Sequence, residues 1–147
     1  MGASIIIKNM MFIPKQTKYK KQQKGKNFQR ITNAYNIDKF NLGSICLKSI
    51  DSGRLNSKQI ESMRQAIQKV IKKSGRLIIN IFPSTPISKK PVEVRMGKGK
   101  GNVDHWVCKL TSGVVLCEVE TSNSALGVKA LQAAQFRLPI KTKIIVN

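Results

Sequence analysis

Between Asn56 and Phe82 the apolar period of the sequence changes within a few residues. Ile60, Met63, Ile67, Val70 and Ile71 recur at helical spacing, with Ala66 beside them. Asn56 stands where a helix cap belongs, and Gln59 follows three residues later, a capping-box arrangement. Lys72, Lys73 and then Gly75 mark the expected C-terminus of this helix. Residues 76–82 (Arg-Leu-Ile-Ile-Asn-Ile-Phe) then form a β-branched, mostly apolar run that predicts a strand. A helix with one apolar face, tied this closely to an apolar strand, has to cover a sheet to bury that face.

The remaining pattern supplies the rest of such a layer. Residues 42–50 read as a first strand, and Asp51-Ser52-Gly53-Arg54 as a turn. Pro83, Pro86 and Pro91 punctuate a loop that runs through Lys89 and Lys90. Residues 92–96 alternate and predict a short strand. Residues 104–110 and 114–120 predict a hairpin around Thr111-Ser112-Gly113. A second helix follows, with Ser122, Asn123 and Ser124 as candidate caps and Leu126, Ala130, Leu131, Ala133, Ala134 and Leu138 as its apolar face. Gly127 weakens it slightly and Pro139 stops it. Residues 141–146 close the chain as a strand. The expected fold is α+β: two helices packed on a mixed or antiparallel sheet, as one domain over residues 41–147, with no internal repeat.

Residues 14–40 do not fit that layer. From Lys8 to Arg30 there are eight basic residues, and the first acid of the chain is Asp38. Up to Asn36 the only larger apolar side chains after Pro14 are Tyr19, Phe28, Ile31 and Tyr35, too few to offset the entropy of ordering. This stretch is expected to be an arm, extended or irregular until it meets a partner, after an N-terminal extension at residues 1–13. Lys18-Tyr19-Lys20-Lys21 interleaves an aromatic ring with cations, which suits base stacking beside phosphate contact. The whole chain has 27 Lys+Arg against 7 Asp+Glu, a formal net charge of +20 in 147 residues. A charge of that size selects polyanionic partners, because each neutralised phosphate releases counterions.

The densest chemical signal is the run Arg95-Met96-Gly97-Lys98-Gly99-Lys100-Gly101, followed by Trp106. Glycines allow left-handed backbone and close approach, and the intervening lysines supply mobile point charges. The spacing is neither that of a Walker loop nor G-x-G-x-x-G. No catalytic set accompanies it. His105 is the only histidine, and on a strand positions 105 and 108 face opposite ways, which weighs against zinc at His105 and Cys108 with Cys46 or Cys117. Cys108 and Cys117 lie on facing strands of the expected hairpin and read as free core thiols. Glu118 and Glu120 read as an exposed strand edge. No catalytic residue, metal or cofactor is expected. The three cysteines show no disulfide-framework spacing, and a reducing compartment is the default. No apolar run approaches the roughly 18 residues of a membrane span. The first residues are too short for a signal-peptide core and lack the Ser or Thr at position 6 of the myristoylation pattern.

Four segments resemble one family in order. They are the glycine run 95–101 with Trp106, the segment 72–83 (Lys-Lys-Ser-Gly-Arg-Leu-Ile-Ile-Asn-Ile-Phe-Pro), the basic segment 14–21 with Lys24-Gly-Lys-Asn27, and 138–142 (Leu-Pro-Ile-Lys-Thr). Together they resemble the large-ribosomal-subunit protein family sixteen (universal L-sixteen) over about residues 11–146. The resemblance implies a hammerhead-like α+β fold and a structural, non-enzymatic protein. It implies binding of large-subunit rRNA near the aminoacyl-tRNA site and the peptidyl-transferase centre, beside acceptor-site tRNA and neighbouring ribosomal proteins. No membrane or homo-oligomer is expected. The rRNA contacts expected are Lys15, Lys18, Tyr19, Lys20, Lys21, Lys24, Lys26, Arg30, Arg64, Lys72, Lys73 and Arg76. The loop expected to face tRNA is Arg95, Met96, Gly97, Lys98, Gly99, Lys100 and Gly101.

Bacterial members of that family begin near what is here Met11, and residues 22–23 and 28–36 diverge from the pattern. Lysine outnumbers arginine 21 to 6, with abundant Ile and Asn, which marks an AT-rich genome. These departures point to an organellar, mitochondrial version, encoded where no targeting peptide is needed; plastid and bacterial origins are the alternatives. A free basic RNA-binding chaperone or regulator would use the same surfaces, and a small RNA-modifying or phosphate-transferring enzyme would use the loop.

Overall fold

The computed structural model describes residues 13–23 and 44–146. The expected helix from Asn56 is present as α1 (Ser57–Ile71), and the Asn56 backbone N–H donates to Gln59 Oε1 at 2.9 Å. Its buried side chains are Ile60, Met63, Ile67 and Ile71, and Val70, the remaining member of the stripe read from the spacing, is half-buried. The second helix, α2 (Ser124–Gln135), is capped by the Asn123 side chain, which accepts from the backbone N–H groups of Ala125 and Leu126 at 3.1 and 3.4 Å. It ends before Phe136, two residues short of Leu138. The α+β class holds, but the strands form two sheets instead of one.

One sheet has four strands in the order β3 (Gly75–Ile79), β6 (Val115–Thr121), β1 (Ile45–Ser49), β7 (Thr142–Val146). The other has three, β2 (Gly53–Asn56), β5 (Asn102–Leu110) and β4 (Thr85–Lys89). Every pairing is antiparallel. The expected β5–β6 hairpin does not form: the two strands follow each other in sequence and go to different sheets. Ser49 explains the diversion. Its backbone N–H donates to Val114 O at 2.9 Å and its carbonyl accepts from Gly113 N at 2.8 Å. The buried Ser49 hydroxyl donates to Thr111 O and lies 3.2 Å from Val114 O. The turn at 111–114 is thereby fastened to the end of β1, and β6 leaves it along β1.

Two strands were not expected. β2 occupies the second half of what reads as a turn, and β4 runs through the proline-rich stretch. Pro86 sits in β4 opposite Trp106. β4 is an edge strand, where a residue without an N–H is tolerated. Conversely, residues 92–96 form no strand, and Val92 and Met96 are almost fully exposed. Their alternation has no sheet face to meet.

The core lies between the inner face of the four-stranded sheet, the two helices and the second sheet. Ile45, Leu47, Cys117 and Val119 meet Ala130, Leu131 and Ala134 of α2, the α1 stripe, and Leu55, Cys108 and Leu110. Trp106 is only half-buried on β5 and lies outside this core. Glu118, expected at an exposed edge, is fully buried and accepts from Asn80 Nδ2 at 2.6 Å; Glu120 is exposed. β6 is a central strand, so alternation of Glu with Cys and Val on it misreads the outer face as solvent.

Gly75 does not end α1. The left-handed residue there is Lys72, with φ 52°. Gly75 instead opens β3, where a Cβ would stand 2.5 Å from the Glu120 carbonyl oxygen and 2.4 Å from Thr121 Cγ2. The oxygen belongs to a paired strand and cannot move aside. Gly75→Ala should therefore destabilise the fold by about 1–3 kcal/mol, an overpacking cost. Thermal unfolding checks it; an unchanged Tm would show that β3 can slide on β6.

All three cysteines are buried, and none is in a disulfide. Cys108 and Cys117 stand in different sheets, not on facing strands. Burial pushes the Cys108 and Cys117 thiols up, and for Cys117 the nearby Cys46 and Glu118 add to it. Thiolate is the reactive form. An aromatic disulfide reagent should leave Cys46 and Cys117 unmodified in native protein and titrate them on unfolding; rapid native reaction at either would contradict this packing.

Candidate nucleic-acid interface

The glycine run lies in the loop of a hairpin. Lys89 of β4 pairs with Asn102 of β5, so residues 90–101 leave and return at one point. Gly101 sits at that neck, where a Cβ would be 2.5 Å from the Lys89 carbonyl oxygen. At the tip Gly97, Lys98 and Gly99 take φ of 97°, 49° and 92° in succession. Added Cβ atoms at Gly97 and Gly99 would meet nothing within 4 Å, so these glycines serve backbone conformation, not tight packing within the chain. Arg95, Met96, Lys98 and Lys100 are all exposed. The Lys90 ammonium donates to the Gly97 carbonyl and braces the loop from its base.

Residues 14–23, the described part of the basic arm, form no helix or strand. Lys15, Lys18, Tyr19, Lys20 and Lys21 are exposed. Lys18 Nζ lies 5.6 Å from the centroid of the Tyr19 ring. The arm meets the loop directly. Lys21 Nζ donates to the Lys100 carbonyl at 2.9 Å, and the Lys100 ammonium donates to the Gln22 carbonyl. Two stretches nearly eighty residues apart in sequence thus present their cations side by side. Lys24, Lys26 and Arg30 lie outside the described residues.

A second basic group stands at the end of α1. Lys72, Lys73 and Arg76 are exposed beside Lys69, at the helix terminus whose dipole favours cations. Among the described residues, no hydrogen bond connects this group to the loop. Arg64 is differently employed. Its Nε and Nη2 donate to the two Glu61 carboxylate oxygens at 2.9 and 2.6 Å, and Nη1 donates to Gln68 Oε1 at 2.6 Å. This pair holds the Glu61 carboxyl below its ordinary range and raises the guanidinium further. Arg64 therefore has few donors left for a phosphate.

No group of three or more His, Cys, Asp or Glu side chains able to hold a metal occurs among the described residues. His105 Nδ1 lies 2.8 Å from Asp104 Oδ2, an exposed neighbour pair. No described helix is long and apolar enough to cross a membrane.

The family model for ribosomal protein L16p/L10e matches residues 14–145, which takes in the arm, the loop and both sheets. The chain belongs to this family. It is 46% identical over 134 residues to the large ribosomal subunit protein uL16 of Blochmanniella floridana, covering 91% of this chain and 98% of the relative. Against the uL16 proteins of Acinetobacter baylyi and Thioalkalivibrio sulfidiphilus it is 43% and 44% identical over 137 residues, 93% of this chain and 98% of each relative. The span matched to the L16p/L10e family includes both the basic arm and the glycine loop. Sequence reasoning missed Lys90 and Gln22, which hold the loop and the arm. The pairing of Lys89 with Asn102 would have pointed to Lys90, had β4 been visible behind its prolines.

Proposed function

We infer that this chain is a structural constituent of the large ribosomal subunit, not an enzyme, and that its arm and glycine loop lie together on rRNA. Membership of the L16p/L10e family supports the first part. The direct bonding of the arm to the loop at Lys100 carries the second. Lys15, Lys18, Lys20 and Lys21 contact rRNA phosphates, with Tyr19 against a base or sugar, and residues 24–40 continue that arm. Lys72, Lys73 and Arg76 form a second rRNA contact, and Arg64 contributes mainly to α1. The loop from Arg95 to Gly101 faces the acceptor-site tRNA near the peptidyl-transferase centre. Residues 44–146 act as the scaffold, with neighbouring ribosomal proteins as further partners.

Sedimentation tests this. The protein should travel with large subunits through gradients at high salt. Migration with free small RNAs instead would favour the chaperone or regulator reading, which uses the same cations. Gly99→Val should impair translation far more than stability. A valine resists φ near 92°, yet the loop tip touches nothing that folding needs. Tm within about 1 °C of the parent, with slowed peptide synthesis, is the expected pair of results; normal synthesis would remove the loop from the tRNA site.

We further propose that the ribosome concerned is mitochondrial. The support is compositional: lysine outnumbers arginine 21 to 6, with abundant Ile and Asn. The relatives named above are bacterial, and a bacterial cytoplasm suits the family equally. Immunodetection after cell fractionation decides: recovery with mitochondrial large subunits is expected, and recovery with any other ribosome overturns this part alone.

A further inference from the structure

The contacts between arm and loop have an unusual chemistry: lysine ammonium groups held by neutral carbonyls. Lys21 is on the Lys100 carbonyl, Lys100 on the Gln22 carbonyl and Lys90 on the Gly97 carbonyl. Among the described residues none of the three pairs with a carboxylate. Bringing like charges together without a counterion opposes closure of the arm on the loop. Each ammonium has three N–H donors and uses one of them among the described residues, which leaves two on each within that set. The carbonyls thus fix where the cations stand without consuming their capacity for an anion.

We propose that Lys21 and Lys100 form one composite clamp for a phosphodiester group, in which arm and loop close together on the RNA backbone, with Lys90 bracing the loop from its base. An anion in the clamp cancels the repulsion that opposes closure and leaves the carbonyl bonds in place. Binding at the loop therefore orders the arm, and an ordered arm raises the affinity of the loop by the same factor. The clamp rests on the rRNA-contact reading above and adds to it a coupling between two segments that are distant in sequence.

The test uses the full chain, with a twelve-nucleotide oligouridylate as probe at low salt. Amide exchange of residues 18–23 is measured without the probe and at saturating probe. In the parent protein exchange should slow about fivefold or more on binding, the lower end of typical coupling factors. Lys100→Ala should abolish that slowing even at saturation. Lys98→Ala removes an equal charge from the same loop but from a side chain that is not bonded to the arm, and it should retain most of the slowing. Equal slowing in the parent and Lys100→Ala overturns the clamp while leaving RNA contact intact. Equal loss in Lys98→Ala and Lys100→Ala also overturns it, since charge alone would then suffice. Failure of the parent to bind the oligonucleotide by fluorescence anisotropy overturns the RNA-contact reading itself.

Discussion

Ile67→Ala should cost about 2–5 kcal/mol of stability, the range for removing a fully buried aliphatic side chain. Ile67 has no exposed surface and lies on the face of α1 that the core covers. That helix packs on α2 and touches β2, β3 and β5, so it is shared by both sheets. A cavity under it loosens each. Against a total stability of roughly 5–15 kcal/mol the loss is large. The urea midpoint should fall with the slope unchanged. Lys58→Ala on the exposed side of the same helix should stay within about 0.5 kcal/mol of the parent. Comparable losses at the two positions would mean that α1 is not oriented as described.

Replacing Lys98 and Lys100 together by alanine should leave folding alone and weaken RNA binding steeply. Two lost phosphate contacts lower the slope of log affinity against log salt by about 1.4–1.8. With binding taken as equal near 1 M salt, affinity near 0.1 M should drop roughly 25- to 60-fold. Both side chains are exposed, and among the described residues only the Lys100 contact to Gln22 is lost. Titration of rRNA fragments at several salt concentrations checks the slope. If affinity and slope both stay at parent values, the loop is a solvated turn, and the family assignment stands without it.

Local signals were legible and non-local ones were not. The α1 stripe and its Asn56–Gln59 start follow from spacing alone, because a helix bonds to itself. The Asn123 cap and the apolar face of α2 are of the same kind. Partner choice between strands is different. Thr111-Ser112-Gly113 looks like a hairpin turn, yet the groups that claim it belong to Ser49, some sixty residues earlier. Pro86 argues against a strand until β4 is known to be an edge. Gly75 reads as a helix stop because nothing in the sequence places Glu120 and Thr121 against it. Within the interface, the cations were visible as residue types. That Lys100 meets Gln22, and that Arg64 is occupied by Glu61 and Gln68, depends on side-chain geometry that composition does not carry.

The four-stranded sheet sets the order in which this chain can mature as it is made. β1 pairs on one side with β6 and on the other with β7, the last of the described strands. Synthesis runs from the N-terminus, so β1 waits for the much later β7 before both its edges are satisfied. Such distant pairing is slow and leaves a bare strand edge in the meantime. A nascent chain halted before Thr142 would expose that edge of β1 and lack Ile144, which packs on the core. The cationic arm emerges first, long before the scaffold behind it can close. For this chain the capacity to meet a polyanion precedes the capacity to fold, and a newborn copy needs shielding of its charge as much as of its apolar surface.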